Sequence, residues 1–428
     1  TKTYYLYPQI VPRGAFLLER DPTREGEGGL WVKLWRDMTW QIMRGVPATR
    51  KPYEERAQGK ATTDAKKMWA ALAKNSGRGT SIELPSTYFL GAQAQTAEGV
   101  AFRDRAHHLL LLHFWSLVAQ VYVPQVLGDD GRGKPVGYAV VVPDILDLEA
   151  FAGDLTDLLL SRSTGQRGYR PSDAVVDLPL ESALELMWRL RQLVHKRAGR
   201  GIDDIVTGFD VLHVEKDGNN VRVRSVERLP PSNELIEAYV PTRELWSLLF
   251  RQQWLRNVVS GRPRWSNFDR ICATTSIAST FNDYRFRHDA REMFRRAKEM
   301  TLDNTENASA EEADDTLEAL VLQIAKRYVA SKVERKHGLK WNSEKRGDFA
   351  KHTEAVARDA FLAVRSRSDA DFPEYFTATL CSVAQFLPPK RFEQLSRALL
   401  TDPARVRTLT LMALSAAGYV STPKEKKD

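Results

Sequence analysis

The chain has 428 residues, and its 63 Lys and Arg residues exceed its 55 Asp and Glu residues by a formal charge of +8. Hydrophobic residues make up 43% of the sequence, which is enough for packed cores and excludes a wholly disordered chain. The 2 cysteines, Cys272 and Cys381, are too few and too far apart for a cysteine-based zinc site or a disulfide scaffold. The length predicts two or three domains, because one core rarely grows beyond about 250–300 residues.

The sequence also indicates where the protein works. It opens at Thr1 without a signal-peptide pattern, and no stretch approaches the roughly 20 apolar residues that a membrane-spanning helix needs. The low cysteine content is typical of a reducing compartment. We therefore expect a cytoplasmic protein with no membrane partner.

The first predicted helices flank a basic loop. Apolar residues recur at helical spacing from Trp31 to Ile42, and a second helical pattern covers 64–75. Arg50 and Lys51 lie between the two helices, beside Tyr53. A basic loop that holds an aromatic residue is typical of a phosphate contact, so Arg50 and Lys51 are candidate nucleic-acid ligands. A solvated connector is the alternative.

The middle of the chain is predicted to be rich in β-structure. Two runs of Val and aromatic residues, Phe114–Val126 and Val136–Val142, flank a turn rich in Gly and Asp, which predicts a hairpin. The turn resembles a phosphate-binding loop, but Pro135 stands where a magnesium-binding hydroxyl is needed and a strand follows instead of a helix. A polar loop further on supplies two more candidate nucleic-acid ligands, Arg167 and Arg170.

A second hairpin is predicted from two strand patterns, Ile205–Val214 and Val221–Val226. The intervening turn contains an Asp-Gly pair and two asparagines, residue types that adopt the positive φ of tight turns. Lys216, Asn219 and Asn220 at its tip are candidate DNA ligands, since an amide side chain can both donate to and accept from base edges in the minor groove. The alternative is that they only form the turn.

Strand patterns end near residue 233, and helical patterns cover the rest of the chain. We therefore predict an α+β fold, with a mixed α/β domain containing β-hairpins over 1–262 and an all-α helical bundle over 263–422. An acidic segment at 303–315 is predicted to be a flexible connector, and 423–428 a disordered charged tail. The helical patterns are Glu234–Val259, Phe281–Met300, Thr316–Lys336, Asp348–Ser366, Pro373–Phe386, Arg391–Leu400 and Arg405–Ala417.

Basic residues are concentrated in the helical part. Arg262 and Arg264 flank Pro263, which favours an extended backbone and would let both guanidinium groups enter a groove while Trp265 stacks. An ordinary linker with a packed Trp is the alternative. A one-sided helical stripe predicts a track for a nucleic-acid backbone, with a solvated face as the alternative. The stripe consists of Arg287, Arg291, Arg295 and Lys298. A later basic stretch contains Lys326, Arg327, Lys332, Arg335, Lys336, Lys340, Lys345 and Arg346.

The motifs give little support for catalysis. His288-Asp289 has the order of a phosphohydrolase metal pair, but that chemistry needs further ligands from neighbouring helices. His337 and His352 are present in the helical part, although no spacing assigns them to such a site. No nucleophile elbow or dinucleotide-binding fingerprint occurs. We therefore expect no catalytic residue, no metal site and no cofactor, and hence no enzyme.

Several separate stretches of the first 260 residues are similar to a known family. They are Leu34–Trp40, Arg44–Arg50, Thr87–Gln93, His113–Trp115, Tyr138 with Val142–Asp144, and His213–Val221. Together they resemble the large subunit of a type I CRISPR interference complex (Cascade), in the branch close to type I-B. The helical remainder is similar in character to the small-subunit-like bundle that such subunits carry.

The resemblance implies a nucleic-acid-binding subunit that is not itself a nuclease. Such subunits anchor the 5′ end of the guide RNA with the backbone and guide-end-binding subunits. They recognise the motif that flanks the target in double-stranded DNA, help to open the duplex, stabilise the displaced strand and recruit a helicase-nuclease. Two alternatives remain open: a metal-dependent nucleic-acid enzyme centred on His288-Asp289, and a purely structural scaffold that binds only protein.

Overall fold

The structure is a computed structural model. It describes residues 74, 81–83, 103–105, 119–128, 132–160, 166–167, 170–171, 174–194, 200–217, 220–303, 316–340 and 346–420. The chain forms two compact units, residues 1–125 with 135–233 and residues 126–134 with 234–428. The predicted boundary near 262 lies inside the second unit, and a separately folding body over 263–422 stays a prediction.

The predicted α+β class is confirmed, with an antiparallel sheet in the first unit and helices in the second. Strands β10, β9, β5 and β3 pair in that order, all antiparallel, and the short β8 lies parallel beside β3. The strands are β1 (Ser81–Glu83), β2 (Arg103–Arg105), β3 (Gln120–Leu127), β4 (Gly133–Pro135), β5 (Tyr138–Ile145), β6 (Gln166–Arg167), β7 (Arg170–Pro171), β8 (Val175–Val176), β9 (Val206–Asp217) and β10 (Asn220–Leu229).

Both predicted hairpins are confirmed. Strand β3 pairs antiparallel with β5, with Tyr122 opposite Ala139. Strand β9 pairs with β10, and its register places Asp217 opposite Asn220. Gly218 and Asn219, which separate these two positions in the sequence, lie outside the described residues.

A buried polar network attaches a helix of the first unit to its sheet. Helix α1 spans Leu148–Leu160 and helix α2 spans Glu181–Val194. The Tyr122 hydroxyl of β3 donates to Glu185 of α2 at 2.5 Å, and Glu185 lies 3.7 Å from Arg189. Arg189 in turn donates to the carbonyl of Leu158 in α1. Every member therefore has a partner in the interior, as buried polar groups require.

The second unit is helical, and its longest helices surround one apolar helix, α11. Apolar and small residues cover all sides of α11, which makes burial on every side favourable. It packs against α6, α7 and α8. The helices are α3 (Asn233–Tyr239), α4 (Leu248–Val259), α5 (Phe268–Thr274), α6 (Tyr284–Asp303), α7 (Leu317–His337), α8 (Arg346–Arg365), α9 (Phe372–Ala378), α10 (Pro389–Thr401) and α11 (Pro403–Gly418), with 3-10 helices at Val240–Glu244 and Leu380–Phe386.

The close approach of α11 to its neighbours depends on Gly418. A Cβ atom built there would lie 2.7 Å from the Phe281 ring and 3.3 Å from Cβ of Ala357 on α8. The Thr408 and Thr410 hydroxyls on α11 donate to the carbonyls four residues earlier, so these buried polar groups are satisfied.

Within the described parts of the chain, none of the helices is long and apolar enough to cross a membrane.

Candidate nucleic-acid interface

The second hairpin carries a series of ion pairs on its exposed side. Arg222 of β10 lies 2.6 Å from Asp217 of β9, and Nε of Arg224 donates to Glu215 at 2.7 Å. Arg228 bridges two carboxylates, Asp144 at 2.5 Å and Asp210 at 3.1 Å. Its hydrogen bond lowers the pKa of Asp144. The arginines of this hairpin are therefore neutralised within the sheet.

The predicted hairpin-tip residues are only partly described. Lys216 is the second-to-last residue of β9 and pairs with Val221, and Asn220 begins β10. Asn219 lies outside the described residues, as do Arg50 and Lys51.

The structure brings Arg167 and Arg170 together. They occupy opposite positions on the two-stranded ribbon formed by β6 and β7. This pairing places two basic residues on neighbouring strands of a short ribbon, and their contact with nucleic acid stays a prediction.

The segment after α4 turns back on the helix instead of extending. The Ser266 amide donates to the carbonyl of Pro263 at 3.0 Å, and the buried Asn257 side chain donates to the carbonyls of Arg264 and Ser266 at 3.0 and 2.9 Å. The Arg264 guanidinium lies 6.0 Å from the Trp254 ring centre, and burial lowers its pKa.

The other two residues of this segment have different environments. Arg405 covers the Trp265 ring at 5.1 Å, so that indole face already has a cationic partner. The Arg262 side chain is exposed, and its backbone amide is fixed by the carbonyl of Asn257 at 2.8 Å. Arg262 is consequently the member of the predicted arginine pair that solvent reaches best.

The predicted stripe on α6 contains residues with different roles. Arg287 is only 6% exposed, donates to the Phe281 carbonyl at 2.6 Å and pairs with Glu354 of α8 at 3.0 Å. Burial lowers its pKa, against the opposing effect of Glu354. Arg295 is exposed but lies 2.6 Å from Glu292. The Lys298 backbone continues the helix.

Arg291 is the stripe residue that combines exposure with a π-face. Its guanidinium lies 5.8 Å from the Tyr419 ring centre, and it makes no ion pair with the described residues. Its charge is therefore available to an anion in solution, whereas that of Arg287 is used to hold α6 on α8.

The His288-Asp289 pair fixes the start of helix α4. Asp289 is fully buried, and its carboxylate accepts hydrogen bonds from the amides of Trp246 and Ser247 at 2.9 and 2.7 Å. The His288 ring stacks on Trp246 with a centroid distance of 3.7 Å, and its Nδ1 lies 2.9 Å from Asp289. Burial raises the pKa of Asp289, and these hydrogen bonds oppose the rise.

The other two histidines considered for a metal site lie against each other. The rings of His337 and His352 are stacked at 3.8 Å. Across the described residues, His, Cys, Asp and Glu form no group of three or more that could hold a metal ion. In this structure His288 packs on Trp246, and Asp289 binds the backbone amides that precede α4.

The end of α7 carries a basic surface that we name the α7 cation patch: Lys332, Arg335 and Lys336. These residues occupy positions i, i+3 and i+4 and so share one side of the helix. Arg335 and Lys336 are exposed, and the three cations make no ion pair with the described residues. The sequence shows this basic stretch, but only the structure distinguishes its cations from those with carboxylate partners.

The neighbouring residues fix the geometry of the patch. Glu334, the acidic residue of the last turn, pairs with Lys340 at 3.1 Å. The helix ends at Gly338, whose φ of 63° lies in the left-handed region that favours glycine. The Lys332 ammonium lies 5.7 Å from the Tyr328 ring centre. The patch thus lies on a well-terminated helix and can face a polyanion.

Two protein-family models together match nearly the whole chain. The family model for the Type I-B CRISPR Cas8b N-terminal domain matches residues 1–200, and the model for the Type I-B CRISPR Cas8b C-terminal domain matches residues 206–417. The chain is therefore a large subunit of a type I CRISPR interference complex. It belongs to the type I-B Cas8b family, as the sequence resemblance predicts. Among curated proteins, no significant match is found.

Proposed function

We propose that this chain is the nucleic-acid-recognition subunit of its interference complex. In this role it recognises the motif that flanks the target in double-stranded DNA and helps to open the duplex. It then stabilises the displaced strand and recruits a separate helicase-nuclease. Its other partners are the guide RNA and the backbone and guide-end-binding subunits, and it supplies no catalytic residue or cofactor. Membership of the large-subunit family supports this proposal.

The α7 cation patch is the structural observation that carries the proposal. A cation without a carboxylate partner can neutralise a phosphate and release its counterions, which drives binding to nucleic acid. The hairpin arginines Arg222, Arg224 and Arg228 already have carboxylate partners, so they are weaker candidates for such contacts. The patch residues Arg335 and Lys336 are exposed and have no such partner among the described residues.

Several sequence-predicted ligands belong to the same proposal. The hairpin tip, with Lys216, Asn219 and Asn220, is a candidate for motif recognition because its amides could contact base edges. The remaining candidates would contact the backbone of DNA or RNA through their charge. They are Arg50, Lys51, Arg167, Arg170, Arg262, Arg264, Arg291, Arg295 and Lys298.

Charge-neutral substitution of the patch tests the proposal. We expect Arg335→Gln with Lys336→Gln to weaken binding of target DNA by the assembled complex. If each cation neutralises one phosphate, the slope of log K against log salt should fall by about 1.4 to 1.8. The control, Lys390→Gln with Arg397→Gln on α10, removes the same charge elsewhere in the same unit. An unchanged slope in a folded patch variant, or an equal change in the control, would contradict the role of the patch.

A further inference from the structure

A cleft in the helical unit places two cations beside an aromatic wall. It has a volume of about 410 Å³ and is bounded by α6, α7, α8, the end of α11 and the two residues that follow it. Arg291 and Lys326 line it together with Phe349, Thr353 and Tyr419. Its volume falls within the range of about 300–1,000 Å³ that is typical of small-molecule sites.

The two cations lie close together without an anion to balance them. Desolvation of the Lys326 ammonium group lowers the pKa of Lys326, and the charge of Arg291 lowers it further. Neither side chain makes an ion pair with the described residues, and no carboxylate lines the cleft. Like charges that line the same cleft repel each other, and a bound anion would relieve the repulsion.

Thr353 provides an independent indication of a ligand. Its side chain is 6% exposed and lines the cleft, yet its hydroxyl makes no hydrogen bond with the described residues. A threonine inside a helix commonly donates to the carbonyl four residues earlier, as Thr408 and Thr410 do. A buried hydroxyl without a partner is unfavourable, so a polar ligand at this position would stabilise it.

The aromatic side of the cleft packs against further rings outside the cleft. The Tyr419 ring meets the His288 ring edge-on at 5.4 Å, and His288 is itself stacked on Trp246. Phe349 is almost fully buried and forms part of the same lining. A rigid apolar wall next to a pair of cations fits a ligand that has an anionic end and a flat apolar ring.

We infer that the cleft is a nucleotide-binding subsite, in which Arg291 and Lys326 bind the phosphate, Thr353 hydrogen-bonds the ligand and Tyr419 packs against the base or sugar. This phosphate and ring chemistry has two sources, a free mononucleotide or one nucleotide within a single strand. The subsite does not depend on the α7 cation patch, because the two sets of side chains have no member in common.

Titration of the full chain with three probes tests this site: thymidine monophosphate, thymidine and a ten-residue oligothymidylate. We expect the monophosphate to bind at least tenfold more tightly than thymidine, because the phosphate supplies the charge-assisted contacts. Arg291→Gln with Lys326→Gln should lower the affinity for the phosphate-containing probes by about tenfold or more. Thr353→Val should lower it severalfold. The control, Lys351→Gln with Arg358→Gln, removes the same charge from exposed positions of α8 and should leave binding unchanged.

The outcomes separate the sources and the proposals. Cleft-dependent binding of the monophosphate with little gain for the oligonucleotide identifies a free nucleotide as the ligand. Cleft-dependent binding of the oligonucleotide, with weak competition by the monophosphate, identifies a strand. The inference is overturned if the folded Arg291→Gln, Lys326→Gln protein binds each probe as tightly as the parent chain does. It is also overturned if the parent chain binds none of the probes. The Arg335→Gln, Lys336→Gln variant leaves the cleft intact. Its binding of target DNA therefore tests the proposed function separately from the binding of the three probes, which tests the cleft.

Discussion

The carboxylate of Asp289, a residue of α6, accepts a hydrogen bond at 2.7 Å from the backbone amide of Ser247, the residue that precedes α4. Ser247 caps the start of α4, and its side chain accepts from the Phe250 amide at 3.4 Å. Asp289 therefore completes the cap of α4 from α6. The order His288-Asp289 suggests a metal ligand, but in the structure this carboxylate accepts hydrogen bonds from the Trp246 and Ser247 amides, which have no acceptor within the helix.

Removal of this carboxylate should destabilise the helical unit. Asp289→Ala leaves the Trp246 and Ser247 amides without their acceptor, so we expect a loss of about 2–3 kcal/mol in the free energy of unfolding. Asp289→Asn keeps one acceptor oxygen and should lose about half as much. Urea denaturation of the full chain measures both, with the exposed Glu393→Ala as control, expected within about 0.5 kcal/mol of the parent. A parent-like Asp289→Ala protein would show that the cap is dispensable.

The structural role of His288 leads to a prediction about cleavage. Its ring is held between Trp246 and Tyr419, and its Nδ1 faces Asp289, so His288→Ala should affect packing and not chemistry. We expect the complex to degrade labelled target DNA only after a separate helicase-nuclease is added, to the same extent with His288→Ala. Metal-dependent cleavage that copurifies with this chain and disappears in His288→Ala would instead support the phosphohydrolase alternative.

Arg287 and Arg291 lie one turn apart on α6 but should respond differently to substitution. Arg287→Met removes the interaction with Glu354 and with the Phe281 carbonyl, so we expect a stability loss of roughly 1–3 kcal/mol. Because Arg287 is buried, the salt dependence of DNA binding by the folded variant should not change. Arg358→Met, an exposed change on α8, is the stability control. A stable Arg287→Met protein with a flatter salt slope would place Arg287 on the nucleic-acid surface.

These contrasts show which features follow from sequence. The hairpins are recognisable because strand patterns of period two flank turn-forming residues, and the helices because their apolar residues recur at helical spacing. The difference between Arg287 and Arg291 has no local signal, because Glu354 neutralises Arg287 from another helix. The nearness of Arg291 and Lys326 likewise depends on packing between α6 and α7. Charge spacing along one helix therefore identifies candidate ligands, but burial and partners on other helices decide among them.

The two cysteines should react slowly with thiol reagents. Burial raises the pKa of Cys381 to about 12, and it also raises the pKa of the fully buried Cys272. Only the thiolate reacts, so modification of Cys381 should accelerate about tenfold per pH unit from pH 7 to 9 without levelling off. A Cys381→Ser chain, in which Cys272 is the only thiol, should react only on unfolding. A plateau near pH 8.5 would indicate an ordinary, exposed thiol instead.

Discrimination of the flanking motif by the complex, with and without this chain, tests the central proposal most directly. Equilibrium binding would be measured on two duplex targets that are identical except for the flanking motif, and on the complementary single strand. We predict that the complete complex prefers the duplex with the correct motif. The complex lacking this chain should still bind the single strand by base pairing with the guide but should bind both duplexes equally weakly. A complex that lacks this chain and still prefers the correct motif would contradict the proposed role.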